Sequence, residues 1–96
     1  MYQKVYVKKR PGLDEFLRLL ANDYEIVIYT ASLAQYADPV IDEMDVERVI
    51  AKRLYREACA VDDEGCFYKD LSKIGRKAKD CVMVDDNPRN FRNQKR

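Results

Sequence analysis

Small polar and acidic residues directly follow two apolar runs of this 96-residue sequence. Thr30 comes immediately after the run at 26–29, and Asp85 and Asp86 come immediately after the run at 81–84. Neighbouring carboxylates repel each other and are favoured beside a divalent cation, and their hard oxygen atoms suit Mg²⁺. The pattern is therefore compatible with a magnesium site, and equally with an aspartate-capped turn that leads into a helix.

Basic residues at two further places could hold an anion. Lys69 follows a predicted strand, where its ammonium group can neutralise a phosphoryl group as a point charge. Arg53 and Arg56 flank a Leu-Tyr pair, and they either clamp an anion or merely solvate a strand. An ordinary surface role is also open to each of them, because the chain contains 18 lysine and arginine residues.

The composition excludes several kinds of chemistry. Histidine is absent, which removes imidazole-based catalysis and histidine-ligated metals. Cys59, Cys66 and Cys81 form no CxxC pair and lack a fourth zinc ligand, so we expect reduced, mostly buried thiols in an intracellular protein. The net charge of +1 creates no global field for nucleic acid or an anionic membrane. Any ligand must therefore be recognised locally.

The spacing of apolar residues predicts the elements that carry these side chains. Leu13, Phe16, Leu17 and Leu20 share one helix face, which predicts a helix over the segment that they span. The continuous apolar run at 25–30 favours a parallel strand covered on both faces. A helix followed by such a strand predicts an α/β layer with a small core. Because ligands of parallel sheets lie outside the carboxyl ends of the strands, we expect Thr30 and the aspartate pair at one edge.

The rest of the chain is less regular. Residues between 33 and 44 have helical spacing, but Asp38 and Pro39 predict a break, with Asp38 capping a second short helix. The segments 58–61 and 66–68 predict a β-hairpin, because Asp-Asp-Glu-Gly separates them. Three further elements are predicted: a short strand at 5–7, a basic helix at 72–80 and a strand at 81–84.

Nearly the whole chain between residues 5 and 88 is covered by strings that occur in a fixed order: KRPGLDEFL, EIVIYTASLAQYADPVIDEMD, RLYREAC, YKDLSKIGR and VMVDDNP. Together they resemble the phosphatase domain of the small, NIF-type RNA polymerase II C-terminal-domain phosphatases of the haloacid dehalogenase superfamily. The resemblance implies an α/β fold with a haloacid dehalogenase-like, Rossmann-type parallel sheet and a short β-hairpin insertion. It also implies a protein serine/threonine phosphatase.

The resemblance gives roles to individual residues. Thr30, in YTAS, corresponds to the family position that holds the phosphoryl group, and Lys69, in KDLS, to the lysine that stabilises the transferred phosphate. Asp86 corresponds to the Mg²⁺ ligand, with Asp85 supporting it. Arg56, in RLYREAC, corresponds to an arginine that contacts bound substrate.

One element of the family pattern does not occur in these 96 residues. The DxDx(T/V) segment, which supplies the nucleophile and the general acid and base, has no counterpart, so we expect residues 1–96 to be a partial domain without its central strand and its C-terminal elements. We expect 89–96 to be a disordered tail. The polypeptide of 96 residues is therefore predicted to be inactive, to have marginal stability and to self-associate through exposed strand edges.

The resemblance implies a phosphoprotein or phosphopeptide as partner, with no direct nucleic acid and no membrane in this segment, in an intracellular and nuclear protein. A second hypothesis is a non-catalytic presequence-binding module that resembles a subunit of the mitochondrial inner-membrane translocase, with a mitochondrial location. Thr30 and the aspartate pair favour the phosphatase, since a binding module has no physical need for them. A third hypothesis is a truncated product in which these residues persist only as caps.

Overall fold

The computed structural model describes residues 6–88. The α-helices and strands in chain order are α1 (Leu13–Leu20), β1 (Ile26–Tyr29), α2 (Ala34–Met44), β2 (Ile50–Leu54), β3 (Cys59–Val61) and β4 (Phe67–Lys69). Short 3₁₀ helices are η1 (Arg56–Ala58), η2 (Leu71–Ile74) and η3 (Ala78–Asp80). The tail predicted at 89–96 lies outside the described residues.

Helix α1 confirms the helix predicted from apolar spacing. Gly12 precedes it with φ +82°, a left-handed conformation that costs glycine little. Asp14 and Glu15 lie in the first turn, where the helix dipole favours negative charge, and Leu17 is buried. The short strand predicted before it is wrong at Tyr6 and Val7, which lie in no regular element and are exposed; position 5 lies outside the described residues.

Strands β1 and β2 form a parallel sheet, with Tyr29 paired to Leu54 at its end. The parallel strand predicted at 25–30 is confirmed over Ile26–Tyr29, although its residues are only half-buried. The Asp45 carboxylate accepts hydrogen bonds from the backbone N–H groups of Val49, at 2.8 Å, and Ile50, at 3.1 Å. These bonds fix the turn that leads from α2 into β2.

The helix break predicted at Asp38 and Pro39 is wrong, because α2 runs through both residues to Met44. Asp38 does not cap a helix. Its carboxylate accepts a hydrogen bond from the Arg53 guanidinium at 2.9 Å and another from the Tyr55 hydroxyl, so it ties α2 to the second strand. The helix continues beyond Pro39 and thereby keeps Ile41 buried.

The predicted hairpin is confirmed as β3 and β4, which pair antiparallel with Cys59 opposite Lys69. Its turn is held by the Asp62 carboxylate, which accepts hydrogen bonds from the N–H groups of Glu64, at 2.9 Å, and Cys66, at 3.0 Å. Gly65 adopts φ +81° there. Lys69, the last residue of β4, therefore lies at the open end of the hairpin, opposite Cys59.

Two predicted elements near the end of the described chain are wrong. The basic segment 72–80 forms η2 and η3 instead of one α-helix, because Gly75 takes φ +85° between them. The apolar segment 81–84 is not a strand, and Val82 and Val84 are 78% and 79% exposed. Within residues 6–88 no strand lies beside it to pair with its backbone, and an apolar pattern without a ladder partner does not make a strand.

Leu17 and Ile41 are the buried apolar residues of the described chain, so its core is small, as expected. The fold is α/β, with one parallel strand pair and one antiparallel hairpin. The three cysteines are free, as predicted, but half-buried rather than mostly buried. Among residues 6–88, no helix has the length and apolarity needed to cross a membrane.

Candidate functional site

Lys69 and Asp85, two of the predicted site residues, form an ion pair. Lys69 is the last residue of β4, and Asp85 directly follows segment 81–84. The ion pair therefore joins two residues that are 16 positions apart in the sequence. Their side chains are only 16% and 8% exposed. The other carboxylate oxygen of Asp85 accepts a hydrogen bond from the N–H of Asn87 at 2.9 Å. A partly buried lysine held in this way presents a fixed positive charge.

Thr30 is connected to this pair through Cys59 of the hairpin. Its N–H donates to the carbonyl of Leu54 at 2.9 Å, and its hydroxyl oxygen accepts from the N–H of Ser32 at 3.1 Å. Its carbonyl lies 3.8 Å from the Sγ of Cys59, which is the residue opposite Lys69 in the hairpin. Burial raises the pKa of the Cys59 thiol, so that the group remains a protonated donor.

Arg56 contacts the two residues that directly follow Thr30. Its N–H donates to the carbonyl of Ser32 at 3.1 Å, and its Nε donates to the carbonyl of Ala31 at 2.7 Å. The guanidinium carbon lies 5.4 Å from the centre of the Phe67 ring, in cation–π geometry. A series of contacts through Cys59, Ala31 and Ser32 thus links Thr30 and Arg56 to the hairpin residue Lys69 and its partner Asp85.

Asp86 lies apart from this assembly. Its carboxylate is 3.6 Å from the Arg10 guanidinium, and its side chain is 85% exposed. The two adjacent aspartates therefore point to different cations, Asp85 to Lys69 and Asp86 to Arg10. As oxygen donors both suit Mg²⁺, and the exposure of Asp86 leaves it accessible to an ion. The donor types fit a magnesium ion, although Asp85 is already engaged by the lysine.

A different group within the described residues has metal-ligand spacing: Asp62, Glu64 and Cys66 in the hairpin turn. The Asp62 carboxylate there accepts the two backbone hydrogen bonds that hold the turn. This geometry is that of a carboxylate-capped turn, which accounts for the grouping without an ion.

Arg53 does not form an anion clamp with Arg56. Its guanidinium donates to Asp38 at 2.9 Å and to Asp42 at 2.8 Å, both on α2. Hydrogen bonds from Tyr55 and Arg53 lower the pKa of the Asp38 carboxyl. Hydrogen bonds to Asp38 and Asp42 raise the pKa of Arg53. This cluster joins helix to sheet, which makes Arg53 a structural residue.

Sequence reasoning missed Tyr29. Its hydroxyl donates to the carbonyl of Ala58 and accepts a hydrogen bond from the N–H of Asp70 at 3.0 Å. Ala58 directly precedes β3 and Asp70 directly follows β4. A tyrosine as the last residue of an apolar strand was the available signal, because a buried phenol needs a hydrogen-bond partner.

The fold and the site define an α/β protein with a fixed lysine and a strand-end threonine, side-chain types that bind phosphoryl groups, and an exposed carboxylate, which can hold a divalent cation. The comparison with family models is in agreement. Residues 1–96 match the model of the NLI interacting factor-like phosphatases. The chain belongs to this family, which confirms the resemblance to C-terminal-domain phosphatases.

Similar curated proteins are named as phosphatases. A "Probable C-terminal domain small phosphatase" of Dictyostelium discoideum is 51% identical over 88 residues, which are 92% of this chain and 28% of that protein. The mouse "Carboxy-terminal domain RNA polymerase II polypeptide A small phosphatase 2" is 50% identical over 92% of this chain and 32% of its own length. "Phosphatase PSR1" of Saccharomyces cerevisiae is 45% identical over 91% of this chain and 20% of its own length.

The chain thus spans between a fifth and a third of the length of these relatives. None of the three is named as a translocase subunit, so they give no support to the presequence-binding alternative.

Proposed function

We propose that these 96 residues form part of a Mg²⁺-dependent phosphatase that removes phosphate from phosphoserine or phosphothreonine in proteins. Family membership supports phosphatase activity in general. The observation that carries the finer proposal is the position of Lys69, which is paired with Asp85 and stands opposite Cys59 beside the Thr30 loop. A haloacid dehalogenase-like sheet is proposed with it, on the basis of the parallel pair β1 and β2.

In the proposed reaction, an aspartate of a DxDx(T/V) segment attacks phosphorus while the bond from phosphorus to the serine or threonine oxygen breaks. A second carboxyl group gives its proton to that leaving oxygen. Water then attacks the phosphorus of the aspartyl-phosphate and gives a proton to the second carboxylate, while the bond from phosphorus to the aspartate oxygen breaks; this releases inorganic phosphate and restores both groups. Neither aspartate lies within the 96 residues, so this chain contributes the groups that hold the phosphoryl oxygens.

Lys69 acts in this proposal as a charge already in place where negative charge develops. Its amine is held by Asp85, so little reorganisation is needed when the phosphoryl group arrives. The Thr30 hydroxyl donates to a phosphoryl oxygen, while its own oxygen is positioned by the N–H of Ser32. Arg56 binds the substrate next to the phosphoryl group, through the terminal guanidinium nitrogens, since its Nε donates to Ala31.

Mg²⁺ is proposed to be held by Asp86, with Asp85 as the supporting carboxylate. Their oxygen atoms are the ligands that this ion prefers, and two carboxylates alone hold it weakly, so the affinity of these residues by themselves is low. When bound, the ion neutralises negative charge on the phosphoryl oxygens.

The proposed substrate is a phosphopeptide like the C-terminal domain of RNA polymerase, since the relatives named above include a phosphatase of that domain in mouse. The corresponding location is intracellular and nuclear. Self-association through strand edges is proposed for the isolated 96 residues, because both sheets in the described residues have only two strands, whose outer edges are open to pairing.

The test compares two polypeptides. The 96 residues alone are expected to release no phosphate from a phosphoserine peptide with Mg²⁺ present, because no aspartyl-phosphate can form. The same residues preceded by a DxDx(T/V) segment and followed by a C-terminal helix and strand are expected to release phosphate and to gain stability. Turnover by the 96 residues alone that Lys69→Ala abolishes contradicts the predicted inactivity. No turnover by the extended polypeptide, once shown to be folded, contradicts the phosphatase proposal.

A further inference from the structure

The Tyr29 hydroxyl contacts both strands of the hairpin at its open end. It donates to the carbonyl of Ala58, the residue before β3, and accepts from the N–H of Asp70, the residue after β4, at 3.0 Å. Tyr29 is also the last residue of β1 and directly precedes Thr30. One side chain therefore joins the end of the parallel sheet to the two residues that flank the open end of the β3–β4 ladder.

These contacts bear directly on Lys69. Lys69 is the last residue of β4 and pairs with Cys59 at the end of the ladder. The next residue is Asp70, whose N–H donates to the Tyr29 hydroxyl. On the other side of the hairpin, Cys59 contacts the Thr30 carbonyl at 3.8 Å, a long and weak contact. The hydroxyl thus provides the stronger link between the strand that carries Thr30 and the strand that carries Lys69.

We infer that Tyr29 is a positioning residue, whose hydroxyl fixes Lys69 relative to Thr30 so that both can meet the same phosphoryl group. The inference rests on the function proposed above. Tyr29 does not itself touch the phosphoryl group in this role. It acts through the Asp70 and Ala58 backbone.

The chemistry of the hydroxyl suits this role. One O–H proton and the oxygen lone pairs let a phenol donate to one backbone strand and accept from the other at the same time, which no apolar ring can do. Burial, the main cause, raises the pKa of the Tyr29 hydroxyl, so the proton that bonds Ala58 is retained over the whole neutral range. The junction is therefore insensitive to pH over the neutral range.

The test is Tyr29→Phe in the 96-residue chain, which removes the hydroxyl and keeps the ring. The matched control is Tyr36→Phe, which removes a hydroxyl from a tyrosine that is 63% exposed on α2. Three quantities are measured by NMR: hydrogen exchange of the Asp70 N–H, the ammonium signal of Lys69, and the change of that signal during titration with inorganic phosphate. Exchange of the Thr30 and Asp62 N–H groups reports on the two ladders.

In Tyr29→Phe we expect Asp70 exchange to become about five- to ten-fold faster, as the loss of one hydrogen bond implies. The Lys69 signal should shift and its phosphate response should weaken about three-fold or more, as expected for a misplaced charge. Thr30 and Asp62 should exchange as in the parent.

Tyr29→Phe that behaves like Tyr36→Phe overturns the inference. So does acceleration of all amides alike, because that shows a general stabilising role without positioning. If the parent chain shows no phosphate response at Lys69 while Asp70 and the Lys69 signal change as expected, the positioning stands; failure of the phosphatase proposal is detected separately, as the absence of turnover by the folded extended polypeptide.

Discussion

Residues 13–54 and residues 59–88 are built on different principles. The first region contains both α-helices, the parallel strands and both buried apolar residues, Leu17 and Ile41. The second contains a three-residue hairpin ladder, two 3₁₀ helices and the segment 81–84, which belongs to no regular element. Regular backbone hydrogen bonding dominates the first, and specific side-chain contacts determine the shape of the second.

The candidate site follows this division. Lys69, Asp85 and Asp86 lie in the second region, and Thr30 lies where the first region meets it. A site at such a boundary takes its rigidity from one side and its charges from the other. We therefore expect substitutions in the first region to act on stability and those in the second to act on chemistry.

The largest effect expected is that of Lys69→Ala in the polypeptide that carries a DxDx(T/V) segment. Removing a fixed charge beside the transferred phosphate should raise the barrier by about 3–4 kcal/mol, or lower kcat about 100- to 1,000-fold. Thr30→Ala should cost less, since water can replace one neutral donor. Lys73→Ala, at an exposed lysine four residues away, is the control. A kcat for Lys69→Ala within a few-fold of the parent would remove the second region from the chemistry.

Next in size is Ile41→Ala, which tests whether the first region carries the stability. Truncating a buried isoleucine should cost about 2–3 kcal/mol, a large part of the stability of so small a core. Urea unfolding followed by circular dichroism measures the change. Val84→Ala, at a residue 79% exposed, should stay within about 0.5 kcal/mol of the parent. Equal losses in the two variants would show that segment 81–84 packs as firmly as α2.

A smaller effect is expected for Asp86 as a metal ligand in the active polypeptide. Asp86→Ala should weaken Mg²⁺ about ten-fold or more, whereas Asp86→Asn should keep part of the affinity, because an amide oxygen remains a ligand. The dependence of turnover on Mg²⁺ concentration gives both values. Identical dependence in parent, Asn and Ala forms would place the metal elsewhere.

The smallest effect concerns pH and the Asp38 cluster of the first region. The Tyr55 and Arg53 hydrogen bonds lower the pKa of Asp38 below 3.8, so they stabilise the fold above that pH. The stabilisation should be lost as pH falls through the lower folded-state pKa. Thermal unfolding of Asp38→Asn between pH 2 and 6 should show a flatter dependence than that of the parent, and Asp63→Asn, in the exposed hairpin turn, should match the parent.

The same division explains how far the sequence predicted the structure. Helix α1 was predicted closely because its hydrogen bonds lie within the segment itself, and β1 was predicted because its apolar run finds a parallel partner in β2. The hairpin was predicted from its turn residues. Segment 81–84 has the same apolar pattern as β1, yet it is not a strand, since a strand needs a backbone partner that no local pattern can supply.

The errors at Asp38 and at 72–80 have a different origin. Asp38 was assigned to a local cap, but its partners Arg53 and Tyr55 lie 15 and 17 residues further along the chain. The helical spacing of the basic segment does not reveal its break, because Gly75 takes a left-handed φ that separates two 3₁₀ helices. The resemblance gives Lys69 and Asp85 roles in one site but does not predict their ion pair. The Tyr29 contacts join three segments that only the fold brings together.

The contact of Arg56 with Ala31 and Phe67 has an entropic consequence. A free arginine side chain has about 2 kcal/mol of rotational entropy to lose when it grips a ligand. Arg56 is restrained at one edge by a backbone carbonyl and on one face by a ring, so part of this loss has occurred during folding. In the proposed role, a phosphopeptide meets a guanidinium that is already oriented. Phe67→Leu would then weaken the binding of the phosphopeptide, although every charged residue of the site is retained.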